Sequence, residues 1–251
     1  MATTPLICFN EARFEFLKLS RNRSYLFSMI GFPVIFYLLF GVTNKNYVFH
    51  GHTIARYLLA GYSCFGAMGS SLFGIGAGLA FERGHGWLEM KRASPMPAAA
   101  YLLAKLCVSI TFAVGITLLL MTLGTALAGV HITTFEGLRL LSVIALGVVP
   151  FASLGLIIGL LMPSNAAPGV INLIYLPLSF CGGLWMPIET LPHWLQVIAH
   201  GLPSFWFARL ALRTLGYSNS SAVLAWALLA AYTVIFLLTA AWIFRRQEAQ
   251  A

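Results

Sequence analysis

Six stretches of this chain, each about twenty residues long, contain no Asp, Glu, Lys or Arg: about Tyr25 to Val42, Tyr57 to Ala80, Leu106 to Val130, Leu140 to Met162, Gly169 to Met186 and Ala222 to Phe244. A bilayer core of about 30 Å is crossed by about 20 apolar residues in helical form. In lipid every backbone polar group must be satisfied within the segment, so such runs have to be helices. Composition agrees: 59% of the 251 residues are hydrophobic, only 9% are charged, and the mean hydropathy is +0.85. The expectation is an all-α integral membrane protein, one transmembrane domain over residues 1–251 with six crossings.

Positive charge sets the orientation, because Lys and Arg are retained on the cytoplasmic side. One set of connecting segments carries Arg13, Lys18, Arg21, Arg23, Arg83, Lys91, Arg92, Lys105, Arg245 and Arg246; the opposite set carries Lys45, Arg56, Arg139, Arg209 and Arg213. Both termini, the loop that starts at Glu82 and the turn MPSNAAPG are therefore placed in the cytoplasm. This bias accounts for the net charge of +8, and no nucleic-acid-binding motif is present. The first 24 residues lack the unbroken apolar core of a signal peptide. They read as an amphipathic interfacial helix, with Glu11, Glu15 and Lys18 on one side and Leu6, Phe9, Phe16 and Leu17 on the other. Cys8, Cys64, Cys107 and Cys181 have no CxxC spacing, which argues against disulfides and a zinc site.

Between the second and third apolar runs lies a polar island, ERGHGWLEMKRASPMP, Glu82 to Pro97. It holds charges of both signs next to Trp87, Leu88 and Met90. Within the second run, Gly66, Ser70, Gly74 and Gly78 recur every fourth residue, a small-residue face that admits a close neighbour, favoured here as a helix of the same subunit over a second copy. Pro33, Pro150 and Pro177 fall inside the first, fourth and fifth runs, where each removes a backbone donor.

From Trp185 the chain reads WMPIETLPHWLQVIAHGLPSFWFARLALRTLG. Pro187, Pro192, Pro203 and Gly201 cut it into helical pieces of about ten residues, too short to span. They are also too rich in tryptophan (Trp185, Trp194, Trp206) for a solvated loop. Residues 187–216 are expected to form an exterior re-entrant hairpin with Glu189 at its mouth.

The parts of a catalyst are missing. There is no GxxxxGK[ST] phosphate loop, HExxH pair or GxSxG elbow, so no catalytic residue and no metal ligand is assigned. His50, His52, His131, His193 and His200 match no standard metal spacing and read as surface histidines. The uncharged runs also disfavour an ion-coupled secondary carrier, which places ionisable groups near the midplane. Energy has to arrive from elsewhere.

The island and its continuation, ERGHGWLEMKRASPMPAAAYLLAKL, resemble the cytoplasmic loop of ABC-2 type permeases: a Glu-Arg start, a Gly-x-Leu-Glu core, a basic pair, Ser before proline, and Tyr-Leu-x-x-Lys-Leu leading into the third helix. FCGGLWMPIETLPHWLQVIAHGLPSFWFARLAL is similar to the family's second signature near the outer surface. One departure is Gly84 and His85, where the family often has a further acidic residue. The resemblance covers nearly the whole chain. It implies the transmembrane half of an ATP-driven exporter in a bacterial cytoplasmic membrane, with ATP and Mg on a separate cytosolic ATPase, no cofactor on this chain, and a second permease chain as partner.

On that reading residues 81–100 form the coupling loop. Glu82, Arg83, Glu89, Lys91 and Arg92 supply polar contacts to the ATPase, Trp87, Leu88 and Met90 an apolar wedge, and Pro95 ends the helix. Tyr37, Asn172, Tyr175 and Ser179 are the candidates for the substrate path. Trp185, Pro187, Glu189, Pro192, Trp194, Pro203 and Trp206 form the exterior gate. Small exterior loops point to a hydrophobic small molecule, drug or lipid-like cargo. Lipid-linked polysaccharide is the alternative, ahead of an ion-coupled carrier.

Overall fold

The computed structural model describes residues 4–49, 51–92, 98–218 and 220–248; side chains at 4–7, 49, 89, 91, 92, 98, 99 and 248 lie outside the description. The chain is almost entirely helical. We name α1 Thr4–Arg21, α2 Arg23–Val42, α3 Ile54–Gly84, α4 Trp87–Arg92, α5 Ala98–Ala128, α6 Thr134–Leu161, α7 Ala167–Cys181, α8 His193–Ala199, α9 Pro203–Thr214 and α10 Ala222–Glu248. Between α2 and α3 two short antiparallel strands, β1 Val48–Phe49 and β2 His52–Thr53, pair Val48 with Thr53 and turn at Gly51, whose φ of 79 suits glycine.

Helix α3 is the axis of the bundle, with 78% of its apolar window buried, whereas α10 buries only 11% and turns Val223, Leu238 and Trp242 outward. Exposed side chains of that kind, on helices of spanning length, suit contact with lipid tails. The expected packing of the small-residue face is found. A Cβ on Gly66 would lie 2.7 Å from Ile116 of α5, Ser70 Oγ donates to the Ser109 carbonyl at 3.3 Å, and Lys105 is the neighbour of Gly78. This face is thus consumed within the chain. A second close approach joins α3 to α6: a Cβ on Gly159 would stand 2.8 Å from Leu79 Cβ and 2.9 Å from the Gly76 carbonyl oxygen, while Gly155 faces the Gly76 nitrogen.

Asn22 separates α1 from α2 by accepting the Tyr25 N–H at 3.1 Å on its side chain, as an N-cap does. Proline marks the irregularities. Helix α2 is widened into π-helical turns at Phe27–Gly31 and Tyr37–Val42, on either side of Pro33. Helix α6 breaks between Gly147 and Val149, because Pro150 has no N–H for the Leu146 carbonyl.

Several boundaries differ from the sequence expectation. Among the described residues five helices are long and apolar enough to cross a membrane: Arg23–Val42, Ile54–Gly84, Ala100–Ala128, Thr134–Leu161 and Ala222–Gln247. The fifth apolar run is helical only over Ala167–Cys181, 15 residues, short of a straight crossing. Helix α3 continues through Glu82 and Arg83, so these belong to its last turn rather than to a loop. The N-terminal helix exists, but its orientation differs from a helix lying polar side to water. Cys8 Sγ reaches the Ala100 carbonyl at 3.7 Å, Phe16 stacks on Phe112 at 5.3 Å, and Leu19 packs with Val108, so α1 runs parallel to the start of α5. Its acidic face turns inward, while Phe9 and Phe14 are each 66% exposed.

Candidate functional site

At the end of the bundle that carries α1, four charges and a phenol meet in the interior. Lys105 of α5 sits 2.6 Å from Glu15 of α1 and 3.1 Å from Glu82 of α3. Lys18 approaches Glu82 at 2.5 Å and Glu15 at 3.1 Å, and the Tyr101 hydroxyl donates to Glu82 Oε2 at 2.5 Å. Glu15, Glu82 and Lys105 are 4%, 1% and 2% exposed, and only Lys18 reaches solvent. Two carboxylates balance two ammonium groups, and burial on this scale is tolerable only with such full pairing. Burial by itself would lower the Lys18 pKa; Glu15 and Glu82 outweigh it and raise that pKa above its ordinary value.

Sequence builds this cluster locally. Tyr101 and Lys105 are four apart, hence on one face of α5, and Glu15 and Lys18 are three apart on α1. Glu82, expected among the coupling residues, is thereby buried in a knot inside the chain. Arg83 is likewise engaged: its Nη2 donates to the Met162 carbonyl at 2.8 Å, tying the end of α3 to the end of α6. Of the residues expected to face a partner, Trp87 (44%) and Met90 (73%) stand exposed on α4. Trp87, Phe81 and His85 form an aromatic group, with Phe81 and His85 ring centroids 4.0 Å apart. Leu88 is half-buried against the cluster of Leu79, Tyr101, Leu160, Ala240 and Ile243. Glu89, Lys91 and Arg92 lie on α4 with side chains outside the description, and Pro95 is outside the described residues.

The residues expected along a path are dispersed. Tyr175 is buried, stacked on Phe65 at 4.6 Å and donating to the Phe65 carbonyl at 2.8 Å; Ser179 is bonded to the Tyr175 carbonyl at 2.7 Å. The Tyr175 hydroxyl thus ties α7 to α3, and that of Ser179 is satisfied within α7. Tyr37 is fully buried in α2, its hydroxyl without a partner among the described residues. Asn172 is exposed on the outer face of α7 beside Leu173, which is 75% exposed.

The opposite end of the bundle holds the gate residues. Trp185, half-buried, is packed among Phe36, Phe65 and Phe180. Pro187 and Pro203 are buried, Pro192 is exposed, and Trp206 Nε1 donates to the His200 carbonyl at 2.9 Å. Trp194 points outward at 62% exposure. Glu189 pairs with Arg209 at 3.3 Å. Arg56 of α3 pairs with Glu136 of α6, whose carboxylate also closes a capping box on Thr133. This end is fastened by Tyr57 Oη to the Gly183 carbonyl at 2.8 Å and by Tyr217 Oη to the Thr53 carbonyl at 2.5 Å.

Among the described residues no three His, Cys, Asp or Glu side chains converge as a metal site. What the geometry offers is a mechanical junction: one buried ionic knot joins three helices directly beneath an exposed apolar knob. Residues 11–215 match the family described as ABC-2 type transporter. Over 239 residues the chain is 32% identical to a Bacillus subtilis (strain 168) protein named "Putative transport permease YvfS", a match that spans 94% of this chain and 96% of that one. The chain belongs to the ABC-2 type transporter family, as a multi-pass membrane permease subunit of an ABC transporter.

Proposed function

We propose that this chain is the membrane half of an ATP-driven exporter, working as a dimer of permease chains with separate ATPase subunits that carry ATP and Mg. The observation that carries the reading is the knot at Glu82 behind the exposed Trp87 and Met90. A cytosolic ATPase moves membrane helices only through contact. A knob such as α4, rooted by Glu82 and Arg83 into α1, α5 and α6, converts a push into movement of the bundle. The interface contacts then fall to Trp87 and Met90, with Glu89, Lys91 and Arg92 around them.

The positive-residue bias supports a cytoplasmic position for this end and both termini, and the membrane on this reading is a bacterial cytoplasmic one. The sixth crossing is then α7 extended by Gly182 to Met186, and α8 and α9 form the re-entrant hairpin. In support, its turn at Gly201 accepts the Tyr232 hydroxyl at 2.6 Å, ten residues into α10, about 15 Å along that helix. The exposed faces of α2 and α7, with Asn172 on the latter, are the surfaces offered to a second permease chain and to cargo, since an amide facing lipid alone is costly. The cargo is a hydrophobic small molecule, drug or lipid-like compound.

Co-expression with an ATP-binding cassette protein encoded beside it tests the reading. The two proteins should co-purify, and reconstituted vesicles should move a hydrophobic dye outward only with ATP. Transport of a lipid-linked sugar instead would favour polysaccharide export, and ATP-independent, ion-driven uptake would overturn the proposal.

A further inference from the structure

Helix α6 is held at its two ends by different parts of the molecule. Its first half is fixed by the Arg56–Glu136 pair, and the connection leading into it by Arg56 Nη1 donating to the His131 carbonyl at 3.0 Å. Its second half is fixed at the other end of the bundle, where Arg83 donates to the Met162 carbonyl at 2.8 Å, Gln247 Nε2 to the Leu160 carbonyl at 3.0 Å, and Gly155 and Gly159 lie on Gly76. Between them the helix is broken at Gly147 to Pro150. Breaks of this kind, with a proline beside a glycine, are where a helix bends at least cost.

One ring fills the break. Phe207 of α9 is fully buried, and a Cβ on Gly147 would lie 2.3 and 2.4 Å from its Cε2 and Cδ2, so the ring occupies the place a side chain there would need. The same ring is 5.6 Å from Phe151, on the other side of the break. Phe207 therefore touches both halves of α6. It also belongs to the hairpin, which is bound into one unit by the cluster of Ile188, Leu191, Ala199 and Phe205.

We propose that the break in α6 is a hinge whose bend is read by Phe207, so that displacement of the Arg83–Met162 end reaches the α8–α9 hairpin through this one ring. The proposal rests on the permease reading above. A packed core shifts between discrete arrangements rather than deforming smoothly, so a change in the angle between the halves has to relocate a ring wedged in the corner. Without the ring, or with a methyl group in its place, the hairpin loses its contact with the bend.

The test is amide hydrogen exchange on the complex of this chain with its ATPase in lipid nanodiscs, nucleotide-free and trapped with ATP and vanadate. In the wild type, nucleotide should alter exchange both in residues 78–92 and in α8, 193–199. In Phe207→Ala the change at 78–92 should persist and the change at 193–199 should be lost. Gly147→Ala, which displaces the ring from the opposite side, should give the same loss and decides the matter if the first variant does not fold. A nucleotide-dependent change at α8 that survives these substitutions undiminished overturns the hinge. So does a wild type that responds at 78–92 and not at α8. No response at either segment in the wild type contradicts the permease reading itself, and the hinge with it.

Discussion

Lys105 Nζ stands between Glu15 and Glu82, 2.6 Å from one carboxylate and 3.1 Å from the other, and so joins the N-terminal helix to the last turn of α3. All three side chains are buried, and removing one member leaves an unbalanced charge that water cannot reach. Lys105→Met should therefore destabilise the protein by about 3–5 kcal/mol. The triple replacement of Glu15, Glu82 and Lys105 by Gln, Gln and Met should cost less than the three single changes summed. Unfolding midpoints in detergent measure both, and strict additivity would show that the three groups do not act as one unit.

Lys18 provides the pH signature of the same cluster. Because Glu15 and Glu82 raise its pKa in the folded state, its contribution is fully present below the ordinary lysine value of about 10.4. It is lost as pH rises through the elevated folded value. The stability gap between wild type and Lys18→Met should stay constant from neutral pH to about pH 10 and close above it. A gap that closes near pH 7 would assign the effect to another group.

The α3–α6 contact gives a steric prediction. Gly159→Ala puts a methyl carbon within 2.9 Å of the Gly76 carbonyl oxygen, and backbone cannot move aside cheaply. Overpacking of this kind costs about 1–3 kcal/mol. Gly169→Ala in α7 meets nothing within 4 Å and should be neutral or slightly stabilising, so it serves as the matched control. Thermal aggregation midpoints of the two variants separate packing from a general dislike of alanine.

The sequence made the helical, membrane-spanning character legible because lipid leaves no other option for uncharged runs, and the four-residue spacing of Gly66, Ser70, Gly74 and Gly78 announced the contact with α5. Glu82 was misplaced for a physical reason. A charge at the edge of an apolar run looks solvent-facing until two ammonium partners, from sequence positions 18 and 105, arrive to neutralise it. The signals existed: Glu15 and Lys18 share a face of α1, and Tyr101 and Lys105 share one of α5. Only the fold shows that the polar face of α1 turns inward while Phe9 and Phe14 turn out. The path residues fared similarly, since a tyrosine or serine in an apolar helix bonds a carbonyl or lines a route by the same chemistry, and Tyr175 and Ser179 bond carbonyls.

The proposed coupling role of α4 rests on Trp87 and Met90, which the fold leaves exposed. Aromatic anchors of this type carry much of the energy of an interface, about 2 kcal/mol or more each. The most direct measurement is the affinity of the purified ATPase for this chain in nanodiscs, wild type against Trp87→Ala/Met90→Ala. The account predicts a loss of about thirty-fold or more, the equivalent of about 2 kcal/mol, with an unchanged unfolding midpoint. Wild-type affinity in the double variant, with the fold intact, would contradict it.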